Sequence, residues 1–212
     1  MTAPDGAARR TIDFETTDGA ELIGDLTVPP SPIAAAVVCH PHPQYGGTRH
    51  DAVVGAVARA LLDASVATLC FDFRHRFDEG IGERLDALAA LDAVTEEVPG
   101  VPLVAAGYSF GAMIVAMLDD PRPVANVLVA PPLGTMGVPD PPAVPTLVLV
   151  PAHDQFAPPS VAEPIVTRWQ ATGADVELRV VESTDHFLQG RLAAVGEHAA
   201  SWIVGILEPR GD

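Results

Sequence analysis

An apolar run, Val101-Pro-Leu-Val-Ala-Ala, meets Gly107-Tyr108-Ser109-Phe110-Gly111 and continues as an apolar stretch over residues 112–118. A strand feeding Gly-x-Ser-x-Gly and then a buried helix leaves the chain little choice of local shape. The serine must sit at the apex of a sharp, strained strand-to-helix turn, with its hydroxyl standing above the sheet edge. The flanking glycines suit places where neighbouring backbone passes too close for a side chain. The same turn puts the Phe110 N–H at a helix N-terminus, free to meet an anion. The bare five-residue pattern also fits a tight turn that happens to contain serine. The strand before it and the helix after it are what make Ser109 a candidate nucleophile.

The 212 residues, 48% hydrophobic with a mean hydropathy of +0.26, suffice for one sizeable core, so residues 1–212 are expected to form one domain. Acidic residues number 28 against 12 basic ones, all arginine, for a formal charge of −16. That balance argues against nucleic acid and anionic membrane as partners. Cys39 and Cys70 lie in separate apolar runs and suit buried thiols in a reducing compartment, with an approach between them if their strands are neighbours. The start of the chain lacks a basic and then apolar leader, and no apolar run approaches the ~20 residues that span a bilayer. The expectation is a cytoplasmic protein.

Taken in order, residues 1–10 read as a frayed start. Residues 11–17 alternate and end at Asp18-Gly19, a hairpin signal, and Glu21–Val28 returns as the partner strand. After the break Pro29-Pro-Ser-Pro32, Ala34–Cys39 is continuously apolar, as in a strand buried on both faces of a parallel sheet. His40-Pro-His-Pro-Gln-Tyr-Gly-Gly47 is a stiff loop. Thr48 and Asp51 form an N-cap pair for a helix carrying Val53, Val54, Val57, Leu61 and Leu62. A strand over 66–72 and a charged loop over 73–81 lead to a helix over 82–98. Leu85, Leu88, Leu91 and Val94 mark its apolar side, and its acidic residues are assigned to a solvated face. Beyond the serine turn come a strand over 124–130, a loop over 131–145 with six prolines, and a strand over 146–150. A helix over 160–171, the strand Val176–Val181 and a last helix over 191–207 complete the chain. Alternating strands and helices predict a mostly parallel sheet with an antiparallel N-terminal edge and helices on both faces.

A serine hydroxyl needs a base to take its proton, and the base must be held in one tautomer. Ser109, Asp154 and His186 each follow a predicted parallel strand, so all three fall on the strands' C-terminal edge, where open α/β sheets bind ligands. His40 and His42 are readable as a metal pair, but no third ligand accompanies them. His153 suits a supporting role beside Asp154, and His50, His75 and His198 suit the surface. No cofactor and no metal are called for.

Gly-Tyr-Ser-Phe-Gly with Ser, Asp and His in this order resembles the α/β-hydrolase superfamily. His40-Pro-His-Pro with Gly46-Gly47-Thr48 resembles its small, capless bacterial subgroup, described as dienelactone-hydrolase-like or esterase-like. Further matching pieces are Phe71-Asp-Phe-Arg74, Phe77-Asp-Glu-Gly-Ile-Gly-Glu83, Asp154-Gln-Phe-Ala-Pro-Pro159 and Thr184-Asp-His-Phe-Leu-Gln-Gly-Arg191, so the resemblance covers roughly residues 15 to 207. It implies an α/β-hydrolase fold without a cap, with Ser109 as nucleophile, Asp154 as the acid and His186 as the base. Asp140 and Asp185 are the fallback acids. The oxyanion hole it implies takes one N–H from Phe110 and one from the loop after the third strand, where Pro41 and Pro43 have none to give. His42 is the first choice there, and Gln44 or Tyr45 the runner-up.

The family pattern departs at Arg74-His75-Arg76-Phe77, where a Gly-rich stretch with a serine is missing from the loop beside the site. Tyr45, Arg74, Arg76 and Phe156 are the candidate substrate-binding residues, with Phe110 and Met113 as further pocket candidates. The two arginines favour small, anionic substrates. The reading is a serine hydrolase acting on a small carboxylic ester or thioester. An acyltransferase or lactonase using the same three residues, and a non-catalytic binding module on this fold, are the alternatives. A small-molecule partner is expected, and a homodimer is left open.

Overall fold

The structure, a computed structural model, describes residues 6–208. Strands β1 (Ala8–Glu15) and β2 (Glu21–Val28) form the antiparallel edge. Then follow β3 (Ala34–Cys39), α1 (Ala52–Asp63), β4 (Val66–Phe71), α2 (Ile81–Glu97), β5 (Leu103–Tyr108) and α3 (Phe110–Ala116). The chain ends with β6 (Pro123–Val129), β7 (Thr146–Pro151), α4 (Pro159–Ala171), β8 (Val176–Val181) and α5 (Leu192–Leu207). The sheet order is β1-β2-β4-β3-β5-β6-β7-β8, antiparallel at β1/β2 and β2/β4 and parallel from β4 to β8.

The central strands are apolar at every position because both faces of the sheet are covered. In β3, Ala34, Ala36 and Val38 meet α1 and α5, while Ala35, Val37 and Cys39 meet the layer built by α2, α3 and α4. The strand order turns between β3 and β5: the chain first steps from β3 to β4 on one side, then returns to lay β5 on the other. The loops leaving β3 and β5 therefore diverge and open a crevice at their C-terminal ends.

Several local expectations change. Strand β1 begins at Ala8, because Ala8 pairs with Val28 and Arg9 reaches Asp25 across the hairpin at 3.1 Å, so the frayed start does not extend to residue 10. Residues 1–5 of that start lie outside the described residues. Helix α1 is capped by Asp51 alone, which accepts from Val53 N at 2.8 Å and Val54 N at 3.4 Å. Helix α3 does start at Phe110, where the serine turn sets its N-terminus, but it ends at Ala116, short of the apolar run's end at residue 118. Cys39 and Cys70 are buried and free, on neighbouring strands but in the cores on opposite faces of the sheet.

The largest correction concerns α2. Glu83 and Asp86 are fully buried, while Leu85 and Leu88 are half-exposed. The Glu83 carboxylate folds back to accept from Gly80 N at 2.8 Å and Asp78 N at 2.9 Å, satisfying amides that the helix start leaves open. Asp86 accepts from Arg74 Nε and from the Arg74 backbone N, each at 2.9 Å. These partners turn the helix so that Ala87, Ala90, Leu91 and Val94 meet the sheet. Among the described residues, no helix is long and apolar enough to cross a membrane.

Candidate active site

Strand β5 ends at Tyr108, and Ser109 adopts φ 54°, ψ −117°. A positive φ in a non-glycine residue is held only by surroundings that over-determine it, at about 1–3 kcal/mol. The surroundings here are close backbone. A Cβ on Gly107 would stand 2.3 Å from Gly111 O, and one on Gly111 would stand 2.4 Å from Cys39 O. Both glycines thus let α3 start directly against β3 and β5. Ser109 N donates to Val129 O at 2.9 Å, which ties the turn to β6.

His186, in the loop after β8, places Nε2 2.9 Å from Ser109 Oγ and Nδ1 2.8 Å from Asp154 Oδ2. The carboxylate accepts from Nδ1–H, which leaves Nε2 as the acceptor facing the serine hydroxyl. Asp154 lies just past β7, and its Oδ1 accepts from Phe156 N at 2.8 Å and Ala157 N at 3.1 Å. Burial works to raise the Asp154 pKa, but the hydrogen bonds from His186, Ala157 and Phe156 outweigh it and hold the carboxyl below its ordinary value. The fallback acids are not brought to His186. Asp140 is exposed in the proline loop, and exposed Asp185 accepts from Phe187 N.

Across the crevice, Pro43–Tyr45 forms a 3-10 turn in the loop after β3. Gln44 N donates to His42 Nδ1 at 3.3 Å and Tyr45 N to His42 O at 3.0 Å, so both runner-up oxyanion donors are engaged inside the turn. Among the described residues, His42 N and Phe110 N make no hydrogen bond. The two residues are neighbours, with ring centroids 4.8 Å apart.

No family model matches the chain. An uncharacterized protein of Rickettsia prowazekii is 31% identical over 179 residues, 77% of this chain and 74% of that one. An alpha-beta serine hydrolase homologue from Coxiella burnetii superposes with a TM-score of 0.81 at 28% identity, covering 92% of this chain and 97% of that one. A serine hydrolase without lid from Xanthomonas campestris gives a TM-score of 0.80 at 27% identity over 100% of both chains. The chain belongs to the small capless α/β hydrolases.

In this hydrolase Ser109 is half-exposed, and two surface recesses of about 260 and 250 Å3 lie elsewhere. The first runs between β2, β4 and α1, the second between α2 and the end of α3. The serine therefore opens toward solvent. Its surroundings are aromatic. Phe156 is half-exposed with its ring 4.6 Å from that of His186, and Phe187, more exposed, lies 5.8 Å from it. Tyr45, 87% exposed, packs on His42 at 4.8 Å. Phe110 and Met113, by contrast, are buried in the core and line no pocket.

Arg74 does not serve as a free cation at the rim. Its guanidinium binds Asp18 at 2.8 and 3.0 Å and Asp86 at 2.8 and 2.9 Å. The hydrogen bonds it donates to Asp18 and then Asp86 hold it firmly protonated, while burial pushes the Asp86 carboxyl up despite its partner. These directions pull oppositely on one pair. The charged pair is the better description, because two close contacts from an always-protonated guanidinium and a third from the Arg74 backbone N–H meet the carboxylate. Arg76 is exposed and makes no ion pair among the described residues.

Of the other histidines, His153 is exposed and its backbone N–H donates to Thr184 O, while His50 Nδ1 stands 3.8 Å from Asp25. His75 is exposed and His198 half-buried. The metal-pair alternative does not fit, because both ring nitrogens of His40 are engaged, with Pro41 O at 2.6 Å and Phe73 N at 3.0 Å. One residue near the base is not singled out by sequence reasoning: Tyr108 Oη donates to His186 O at 3.1 Å. Its place beside the serine is visible in the motif, but its partner 78 positions away is not.

Proposed function

We propose that this chain is a serine hydrolase that cleaves small carboxylic esters or thioesters through an acyl-enzyme on Ser109. The observation that carries the reading is the continuous path from Asp154 through His186 to Ser109 Oγ, with both hydrogen bonds under 3 Å. In this reading His186 Nε2 takes the hydroxyl proton as Ser109 Oγ attacks the carbonyl carbon. Asp154 stabilises the resulting imidazolium without accepting its proton. The carbonyl π electrons move onto oxygen, and the Phe110 and His42 N–H groups donate hydrogen bonds to the resulting oxyanion. When the tetrahedral intermediate collapses, the bond to the leaving oxygen or sulfur breaks and His186 returns the proton to it. Water then attacks the acyl-enzyme with His186 again as base, releasing the acid and restoring Ser109.

The open site and the absence of a cap leave little apolar wall for a long chain, which supports a small acyl group. With Arg74 held by two carboxylates, its share of the case for an anionic substrate falls away, and exposed Arg76 alone carries what remains. Tyr45, Phe156 and Phe187 instead support an uncharged ester with an apolar or aromatic portion. A lactone, or an alcohol in place of water, is compatible with the same three residues. Hydrolysis of uncharged C2 to C12 esters by purified wild type and Ser109→Ala protein tests the reading. Turnover in the wild type alone supports it, and equal turnover in the variant removes Ser109 from the chemistry.

A further inference from the structure

We propose that His40 is a positioning residue for the oxyanion hole, its imidazole clamping the peptide plane that carries the His42 N–H. This rests on the reading of that N–H as an oxyanion donor. His40 is 1% exposed at the C-terminal end of β3. Phe73 N donates to its Nε2 at 3.0 Å, so that nitrogen must carry a lone pair and the ring proton sits on Nδ1. Nδ1–H then donates to Pro41 O at 2.6 Å.

The Pro41 carbonyl and the His42 N–H are the two ends of one peptide group. That group is planar and trans, so fixing the oxygen fixes the N–H on the opposite side. The Pro41 ring sets φ on one flank, which leaves ψ of Pro41 as the soft rotation that would swing the plane. The His40 hydrogen bond holds that rotation. The next peptide is held in turn, because His42 O accepts from Tyr45 N at 3.0 Å and Gly47 N at 3.1 Å. A hydrogen bond to the carbonyl also polarises the N–H of the same peptide, making it the better donor to an oxyanion. Burial lowers the pKa of the ring, which favours the neutral form the arrangement requires.

Two substitutions separate the two hydrogen bonds. His40→Asn keeps a donor near the Nδ1 position and loses the acceptor for Phe73 N. His40→Gln keeps an acceptor near the Nε2 position and loses the donor to Pro41. Each leaves one buried group unpaired, so their melting temperatures should fall by similar amounts. Activity should not follow. The asparagine variant is expected to keep kcat within about threefold. The glutamine variant is expected to lose on the order of 10- to 100-fold at unchanged KM, somewhat less than outright removal of an oxyanion donor. Its affinity for a butylboronic acid adduct on Ser109 should fall by the same factor. Equal losses in the two variants, or losses that track melting temperature, would overturn the proposal while leaving the hydrolase reading intact. If neither variant folds, nitrogen-15 spectra of histidine-labelled wild type decide it: an Nδ1–H tautomer at His40 supports the clamp, and an Nε2–H tautomer overturns it. Wild-type protein that neither hydrolyses esters nor takes up the boronic acid would overturn the hydrolase reading, and the clamp with it.

Discussion

At the scale of single residues, the proposed mechanism makes the reactivity of Ser109 Oγ depend on an imidazole 77 positions away and on the carboxylate that orients it. Asp154→Asn leaves the shape of the site but favours the wrong His186 tautomer, so kcat is expected to fall on the order of 10⁴-fold. Asp140→Asn should be silent, and the reverse pattern would move the acid to the proline loop. The same carboxylate makes a pH prediction. Its folded pKa lies below its ordinary value, so its contribution to stability is full above the unfolded carboxyl pKa of about 3.9 and is lost as pH falls through the lower folded value. Thermal melts from pH 6 to pH 2 should therefore show a shallower acid slope in Asp154→Asn than in the wild type. Arg74 shows where residue-scale legibility stops. Its charge is plain in the sequence, but its partners Asp18 and Asp86 belong to a distant hairpin and to α2, and no local pattern pairs them. Arg74→Ala is expected to cost about 3–5 kcal/mol by stranding buried Asp86, with no selective rise in KM for anionic over neutral esters. A selective rise would restore Arg74 as a substrate contact.

At the scale of elements, the strands are legible because burial on both sheet faces demands unbroken apolar runs, as in Ala34–Cys39 and Leu103–Tyr108. The positions of Ser109, Asp154 and His186 just past strands follow from the same runs. The rotation of helix α2 is not written in its own sequence. Periodicity counts its leucines, yet its rotation is set by carboxylates whose partners lie outside the helix: Arg74 for Asp86, and the amides of residues 78 and 80 for Glu83. Two alanine substitutions separate these views. Leu91, fully buried, should cost about 2–5 kcal/mol on truncation, whereas half-exposed Leu85 should cost under about 1 kcal/mol in urea unfolding. Equal costs would mean that the leucine stripe faces the core after all.

At the scale of the whole molecule, the β1-β2-β4-β3-β5-β6-β7-β8 order gathers loops from β3, β5, β7 and β8 along one edge of the sheet. Among the described residues nothing folds over that edge, and the aromatic side chains of Tyr45, Phe156 and Phe187 remain exposed around it. An ester panel is accordingly expected to give higher kcat/KM for C2 to C4 acyl groups than for C12, and a long-chain preference would contradict the open-site picture. The central claim is that Ser109 is a nucleophile activated by His186, and covalent labelling tests it most directly. Intact-mass spectrometry after a fluorophosphonate probe should show one adduct on wild-type protein, mapped to Ser109, none on Ser109→Ala, and a labelling rate reduced by roughly 10³-fold or more in His186→Ala. An unlabelled wild type, or equal labelling of wild type and Ser109→Ala, would contradict the account.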